Sequence, residues 1–160
     1  MFKFSFVIEF DSMVSTNDAY FHVAYKKKGT NRLTTHAVKT QELKDFQSTC
    51  EEKFKELIPD NIIQELKDNF NPMTQELQLT SMYYMPLSNY KNSDVSNYIK
   101  AYEDCISTRL KGSSRKKGSL DDKNINRHYS CKKFSNTNKW RVESTISVMP
   151  RDPNYLIMGD

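Results

Sequence analysis

Residues 77–85 read Leu-Gln-Leu-Thr-Ser-Met-Tyr-Tyr-Met, and this stretch decides the fold class. Leu77, Leu79, Ser81, Tyr83 and Met85 alternate with Gln78 and Thr80. A period of two is that of a strand with one face on a core, and the run predicts a central strand. Past a loop at Pro86–Ser93 the period changes. From Val95 to Leu110, Ile99, Tyr102, Ile106 and Leu110 fall on one stripe at helical spacing. A strand feeding an amphipathic helix predicts a sheet covered by helices.

The flanks agree. Residues 2–10, FKFSFVIEF, alternate Phe2, Phe4, Phe6, Ile8 and Phe10 with Lys3, Ser5 and Glu9, a half-buried strand. Ala19–Tyr25 reads as a short strand, and the basic, Gly-containing Lys26–Asn31 as a turn. A helix is expected from Thr40, with Leu43, Phe46, Cys50, Phe54 and Leu57 on one face and Pro59 at its end. Asp60-Asn61 is expected to cap a second helix through Leu66. Lys111–Ser119 reads as a loop, Lys123–Phe134 as strand-like, and Trp140–Met149 as a strand that alternates cleanly. The expectation is an α+β (mixed α/β) fold, a small mixed sheet with two to three helices. It forms one domain over residues 1–150, followed by an irregular tail at 151–160.

Composition narrows the function classes. The chain has 160 residues, enough for a core without disulfides, and its 12% aromatic content argues against disorder. The net charge of +4 suits a polyanionic partner without requiring one. Cys50, Cys105 and Cys131 are odd in number and contain no CxxC, which excludes a disulfide framework and a cysteine zinc site. His22, His36 and His128 form no metal-ligand spacing. The N-terminus lacks a signal-peptide pattern, and no apolar run is long enough to span a membrane. The expectation is a soluble, cytoplasmic protein with no membrane partner and no small-molecule cofactor. The Lys-, Asn-, Tyr- and Phe-rich composition hints at an AT-rich genome such as that of a phage or mobile element.

Chemistry concentrates between Asp94 and Lys133. Asp94 and Ser96 stand where a helix starts, and Asn97, Lys100 and Asp104 share one face of it. Asp121 and Asp122 precede a strand, and in a small domain a helix start and a strand start can converge on one acidic pocket. Carboxylates so placed suit Mg²⁺, a hard ion that takes oxygen ligands and keeps waters. A nearby lysine can stabilise charge developing on a phosphate. Each piece also has a plainer reading: Asp94 or Ser96 as an N-cap, Lys100 and Asp104 as a surface ion pair, Asp121-Asp122 as a turn.

In type and order, Asp94, Asn97, Lys100, Asp104, Asp121 and Asp122 resemble the signature of the RusA family of Holliday junction resolvases. There an Asp-x-Asp-Asn segment opens a helix, a Lys and an Asp follow along it, and an Asp pair precedes a Lys-bearing strand. Ser15-x-Asn17-x-x-Tyr20 resembles that family's opening, so the likeness spans about residues 2–149. The resemblance implies a RusA-like fold and an Mg²⁺-dependent endodeoxyribonuclease, with Mn²⁺ as a possible substitute. It would cut Holliday junctions or related branched DNA by hydrolytic nicking, working as a homodimer. It implies catalytic roles for Asp94, Lys100 and Asp122, metal ligation by Asp94, Asp121 and Asp122, and support from Ser96, Asn97 and Asp104.

Two departures matter. Ser96 stands where the family has its second Asp, and the helix is joined to the Asp pair by a longer, basic connection. A hydroxyl is a weak neutral ligand, which keeps open a nicking endonuclease of duplex DNA or a catalytically weakened DNA-binding module. Lys111, Arg115, Lys116 and Lys117 of that connection, with Lys132 and Lys133, are the candidate phosphate contacts. A solvated loop is the plain alternative. Lys26–Lys28 carries the same two readings. Tyr83, Tyr84 and Tyr90 are candidates to stack on an exposed base, but the alternating Tyr83 reads as core and Tyr90 stays open between core and stacking.

Overall fold

Alternation along the strands and the stripe on the long helices produce a one-sided α+β structure. In the computed structural model the described residues are 2–30, 32–112, 120 and 125–151. Their elements are β1 (Lys3–Phe10), β2 (Tyr20–Lys26), β3 (Leu33–Lys39), α1 (Gln41–Leu57), α2 (Asp60–Asp68), β4 (Gln75–Met85), α3 (Leu87–Asn92), α4 (Ser96–Lys111), β5 (Ile125–Phe134) and β6 (Trp140–Pro150). Four strands form a mixed sheet in the order β1-β6-β4-β5. β6 pairs antiparallel with β1 and β4, and β5 lies parallel to β4 at the edge. The expected central strand is therefore β4, flanked on both sides. The expected strand from 123 is described from Ile125 onward, residues 123 and 124 lying outside the described residues.

Every second residue of the central strands enters the core: Leu77, Leu79, Tyr83 and Met85 from β4, Val142, Ile146 and Val148 from β6, and Phe6, Ile8 and Phe10 from β1. α1 and α4 cover that face. α1 contributes Leu43, Phe46, Cys50 and Phe54. α4 contributes Tyr98, Ala101, Tyr102, Cys105, Ile106 and Leu110, while the expected stripe residue Ile99 sits at the margin. Tyr102 stands at the junction of the layers, its ring edge-on to Phe10, Phe54 and Tyr83 at 6.2, 5.8 and 5.7 Å. Its hydroxyl shares a 2.8 Å hydrogen bond with Ser144, which in turn bonds Ser81 at 3.0 Å. Two small polar residues in a buried sheet face thus answer the Tyr102 hydroxyl.

Helix ends follow local chemistry. Thr40 caps α1 by accepting from the Leu43 N–H. The expected cap of α2 by Asp60-Asn61 is corrected: Pro59 holds the cap position, and Asp60 lies in the first turn. The Asp60 carboxylate is taken at 2.7 Å by Arg109 of α4. Arg109 also donates to the carbonyls of Ile58 and Phe54, closing the end of α1.

Two elements went unread in the sequence. α3 occupies the stretch taken as a loop, a short helix of six residues after Pro86 held by the Tyr90 ring against Phe134. β3 pairs with β2 as a separate two-stranded sheet, in which every residue except the half-buried Val38 is exposed. Among the described residues no helix is long and apolar enough to cross a membrane. The tail expected at 151–160 lies outside the described residues from 152 onward.

Replacing Tyr102 separates rings from hydroxyl. Tyr102→Phe is expected to cost about 1 kcal/mol and Tyr102→Ala about 3–5 kcal/mol, read from urea denaturation. Equal losses would show that the hydroxyl, not the ring packing, holds α4 to the sheet.

Candidate functional site

The start of α4 gathers most of the described candidate residues. Asp94 is exposed and its Oδ1 accepts from the Ser96 N–H at 3.3 Å, while Val95 holds the cap position without a side-chain bond. Asp94 therefore does the local work of a cap one residue early, and Ser96 does not cap. Asn97 is half-buried, and its carbonyl accepts from both the N–H and the hydroxyl of Thr16, at 2.5 and 2.7 Å. The loop that carries Ser15 and Asn17 is thereby docked on the first turn of the helix that follows Asp94. Within that loop the Asn17 N–H donates to Ser15 Oγ at 3.2 Å.

Lys132 reaches the same place from β5. Its ammonium lies 3.4 Å from the Ser93 carbonyl and 3.5 Å from that of Tyr90, and 5.1 Å from the centre of the Tyr90 ring. Tyr90, left open between core and base stacking, is thus half-buried under a lysine and against Phe134. One turn into the helix, Lys100 and Asp104 pair at 3.6 Å. Their side chains are 68% and 45% exposed, so the pair orients Lys100 and adds little stability.

Pleating separates two residues that had been grouped. Lys132 faces α3 and α4, whereas Lys133 lies on the open sheet face, 5.9 Å from the Tyr84 ring. Tyr84 also carries Arg141 at 5.7 Å and donates to Glu143. Lys132 and Lys133 therefore cannot serve one phosphate track side by side. Tyr83 is fully buried, as its alternation implied. Burial, then the neighbouring Tyr102 and Glu103, push its phenol well above the ordinary range, which keeps it neutral.

Between α4 and β5 lies a pair that no motif announced. Glu103 Oε2 meets His128 Nδ1 at 3.1 Å, and His128 Nε2 lies 2.9 Å from the Ile125 carbonyl. Glu103 is largely buried, and among the described residues its Oε1 has no hydrogen-bond partner. One residue on a helix and one on an edge strand share no sequence spacing. Only the parallel pairing of β5 with β4 brings them together.

That pairing also sets directions. Lys132 stands beside Tyr83 and Ile125 beside Leu77. The start of α4 therefore meets the end of β5, not its start. At about 3.3 Å per residue the two ends of this pairing are roughly 20 Å apart. Lys111, exposed in the last turn of α4, lies at the far end of the helix from Asp94. Asp121, Asp122, Arg115, Lys116 and Lys117 lie outside the described residues. Leu120 and Ile125, on either side of the Asp pair, are buried in the core. Among the described residues no group of three or more His, Cys, Asp or Glu side chains could hold a metal ion. Asp94 and Ser96 by themselves do not make an ion site.

Compared with protein-family models and with curated proteins, the chain matches none.

Thr16→Val, which keeps shape and removes the hydroxyl, is expected to weaken the clamp on α4 by about 1 kcal/mol. Amide exchange in the first turn of the helix should then quicken about fivefold, with α1 unaffected. Unchanged exchange there would show that the loop does not hold the helix start.

Proposed function

We propose that the chain is a metal-dependent endodeoxyribonuclease of RusA-like type, cutting Holliday junctions or related branched DNA by hydrolytic nicking. What supports the reading most is the seat of Lys132 on the backbone just before Asp94. A strand lysine and an acidic helix start, paired in the motif, are neighbours in space. The docking of the Ser15–Asn17 loop on the same turn adds the third part of the likeness.

On this reading Asp94, Asp121 and Asp122 would hold Mg²⁺, with Mn²⁺ able to substitute. The bound ion would offset charge on the phosphate and make a bound water more acidic. Lys100, steered by Asp104, stands one turn into the helix that follows Asp94, where an ammonium can meet a phosphate oxygen. Asn97 holds the Ser15–Asn17 loop through its carbonyl, and the Ser96 N–H holds the Asp94 carboxylate. A homodimer would present two symmetry-related sites to the two strands of a junction.

A second reading has specific observations in its favour. Ser96 removes a carboxylate, and the strand start that follows Asp121 and Asp122 stands roughly 20 Å from the helix start. Both favour a DNA-binding module with weakened cutting, or a duplex-nicking enzyme with altered geometry.

The test is cleavage of a labelled four-way junction and of supercoiled plasmid in Mg²⁺, Mn²⁺ or chelator. Junction cutting that needs metal and falls at least a hundredfold in Asp122→Asn and in Asp94→Asn is the expected result. Plasmid nicking without junction preference moves the function to duplex DNA. Binding with no cutting in either metal leaves the binding module.

A further inference from the structure

We infer that the β2–β3 hairpin is a DNA-binding arm that seats in the major groove of duplex DNA beside the proposed site. The inference takes from the proposed function only that the polyanion is DNA.

The arm has three properties that seldom coincide by accident. First, it stands away from the core. Phe21, Val23 and Tyr25 are 49, 37 and 45% exposed, and Leu33 is 75% exposed. A two-stranded hairpin without a packed face is marginal in water, so this one has surface left to cover.

Second, its charge has one sign. From Ala19 to Thr40 the chain carries Lys26, Lys27, Lys28, Arg32 and Lys39, and neither Asp nor Glu. The lysines cluster at the tip. There the Lys27 N–H donates to the Arg32 carbonyl, and Gly29 turns the chain at φ 84°. Charge of one sign at the end of a projecting ribbon selects a polyanion. It also disfavours a second copy of the arm, whose lysines would oppose these.

Third, its dimensions fit. Seven residues per strand make a ribbon about 23 Å long, and a major groove about 12 Å wide admits a two-stranded ribbon. Register puts Phe21, Val23, Tyr25, Thr34, His36 and Val38 on one face, with the Tyr25 and His36 rings 5.0 Å apart. That face can lie on base edges and thymine methyls while the tip holds phosphates.

The root directs the arm. Ala19 is buried, and the N–H and hydroxyl of Thr40 donate to the carbonyls of Ala19 and Asp18 at 3.0 and 2.9 Å. Thr16, three residues before Ala19, is the residue bonded to Asn97. A duplex held by the arm therefore passes the start of α4.

The test is binding without cutting. The full chain carrying Asp122→Asn is titrated in chelator against a labelled duplex and a labelled single strand, from about 50 to 200 mM salt. Lys26→Ala/Lys27→Ala/Lys28→Ala is expected to weaken duplex binding at least tenfold. It should also flatten the slope of log affinity against log salt by about 2 to 3, at about 0.9 per phosphate contact. Phe21→Ser/Tyr25→Ser is expected to weaken duplex binding with the slope unchanged, since it removes no charge. Lys26, Lys27, Lys28, Phe21 and Tyr25 are all exposed, and matching thermal melts confirm that the variants fold. Duplex binding unchanged in the triple variant overturns the inference. So does a loss confined to the single strand. A shift of the Phe21/Tyr25 variant from dimer to monomer at unchanged affinity also overturns it, because the arm would then cover a second copy. Arm-dependent binding by a chain that never cuts sinks the nuclease reading and leaves the arm standing.

Discussion

Tyr102 is the point on which the two layers depend. Its ring meets an aromatic from β1, one from α1 and one from β4, and its hydroxyl ends on a serine pair within the sheet. Buried rings supply large apolar area and prefer edge-on contacts, while a buried hydroxyl must find a partner. Both demands are met in one orientation of α4. The direction of that helix, and therefore where Asp94, Lys100 and Glu103 stand relative to β5, follows from it.

Arg109 performs a related service at the other end of α4. It satisfies carbonyls at the end of α1 and an acid in the first turn of α2 with one guanidinium. A planar donor fork does this where a lysine would not. α4 is thus pinned through a buried ring near its middle and a cation near its end. Its first turn is held by Tyr98, buried against the Trp140 ring, and by the Thr16 contacts.

Apart from β2, which was read at 19–25 although all of it is exposed, the parts legible in the sequence are those that bury a face. β1, β4, β6, α1 and α4 each carry a period imposed by the core, and each was readable. β3 buries nothing, so Leu33, Ala37 and Val38 show no alternation to find. α3 is only six residues long and packs Tyr90 on Phe134, a contact no local pattern encodes. Within the site, Lys100 and Asp104 were readable because helical spacing alone brings them together. The separation of Lys132 from Lys133 follows from strand pleating, which grouping the two as phosphate contacts left out of account. Glu103 with His128 was out of reach, since their meeting depends on strand order. The same holds for the end of β5 that faces Asp94. Only the parallel pairing with β4 decides it.

The pairing of β1 with β6 sets the order of assembly. Lys3 lies beside Ser147 and Phe10 beside Trp140, so the first and last of the described strands close the sheet at one edge. Contacts so distant in sequence are slow to form, because the whole intervening chain must be brought round first. During synthesis Phe4, Phe6, Ile8 and Phe10 leave the ribosome long before the strand that will cover them. An unpaired alternating strand is a template for pairing with other chains. The cell's yield of this protein therefore depends on how well β1 is shielded until β6 arrives.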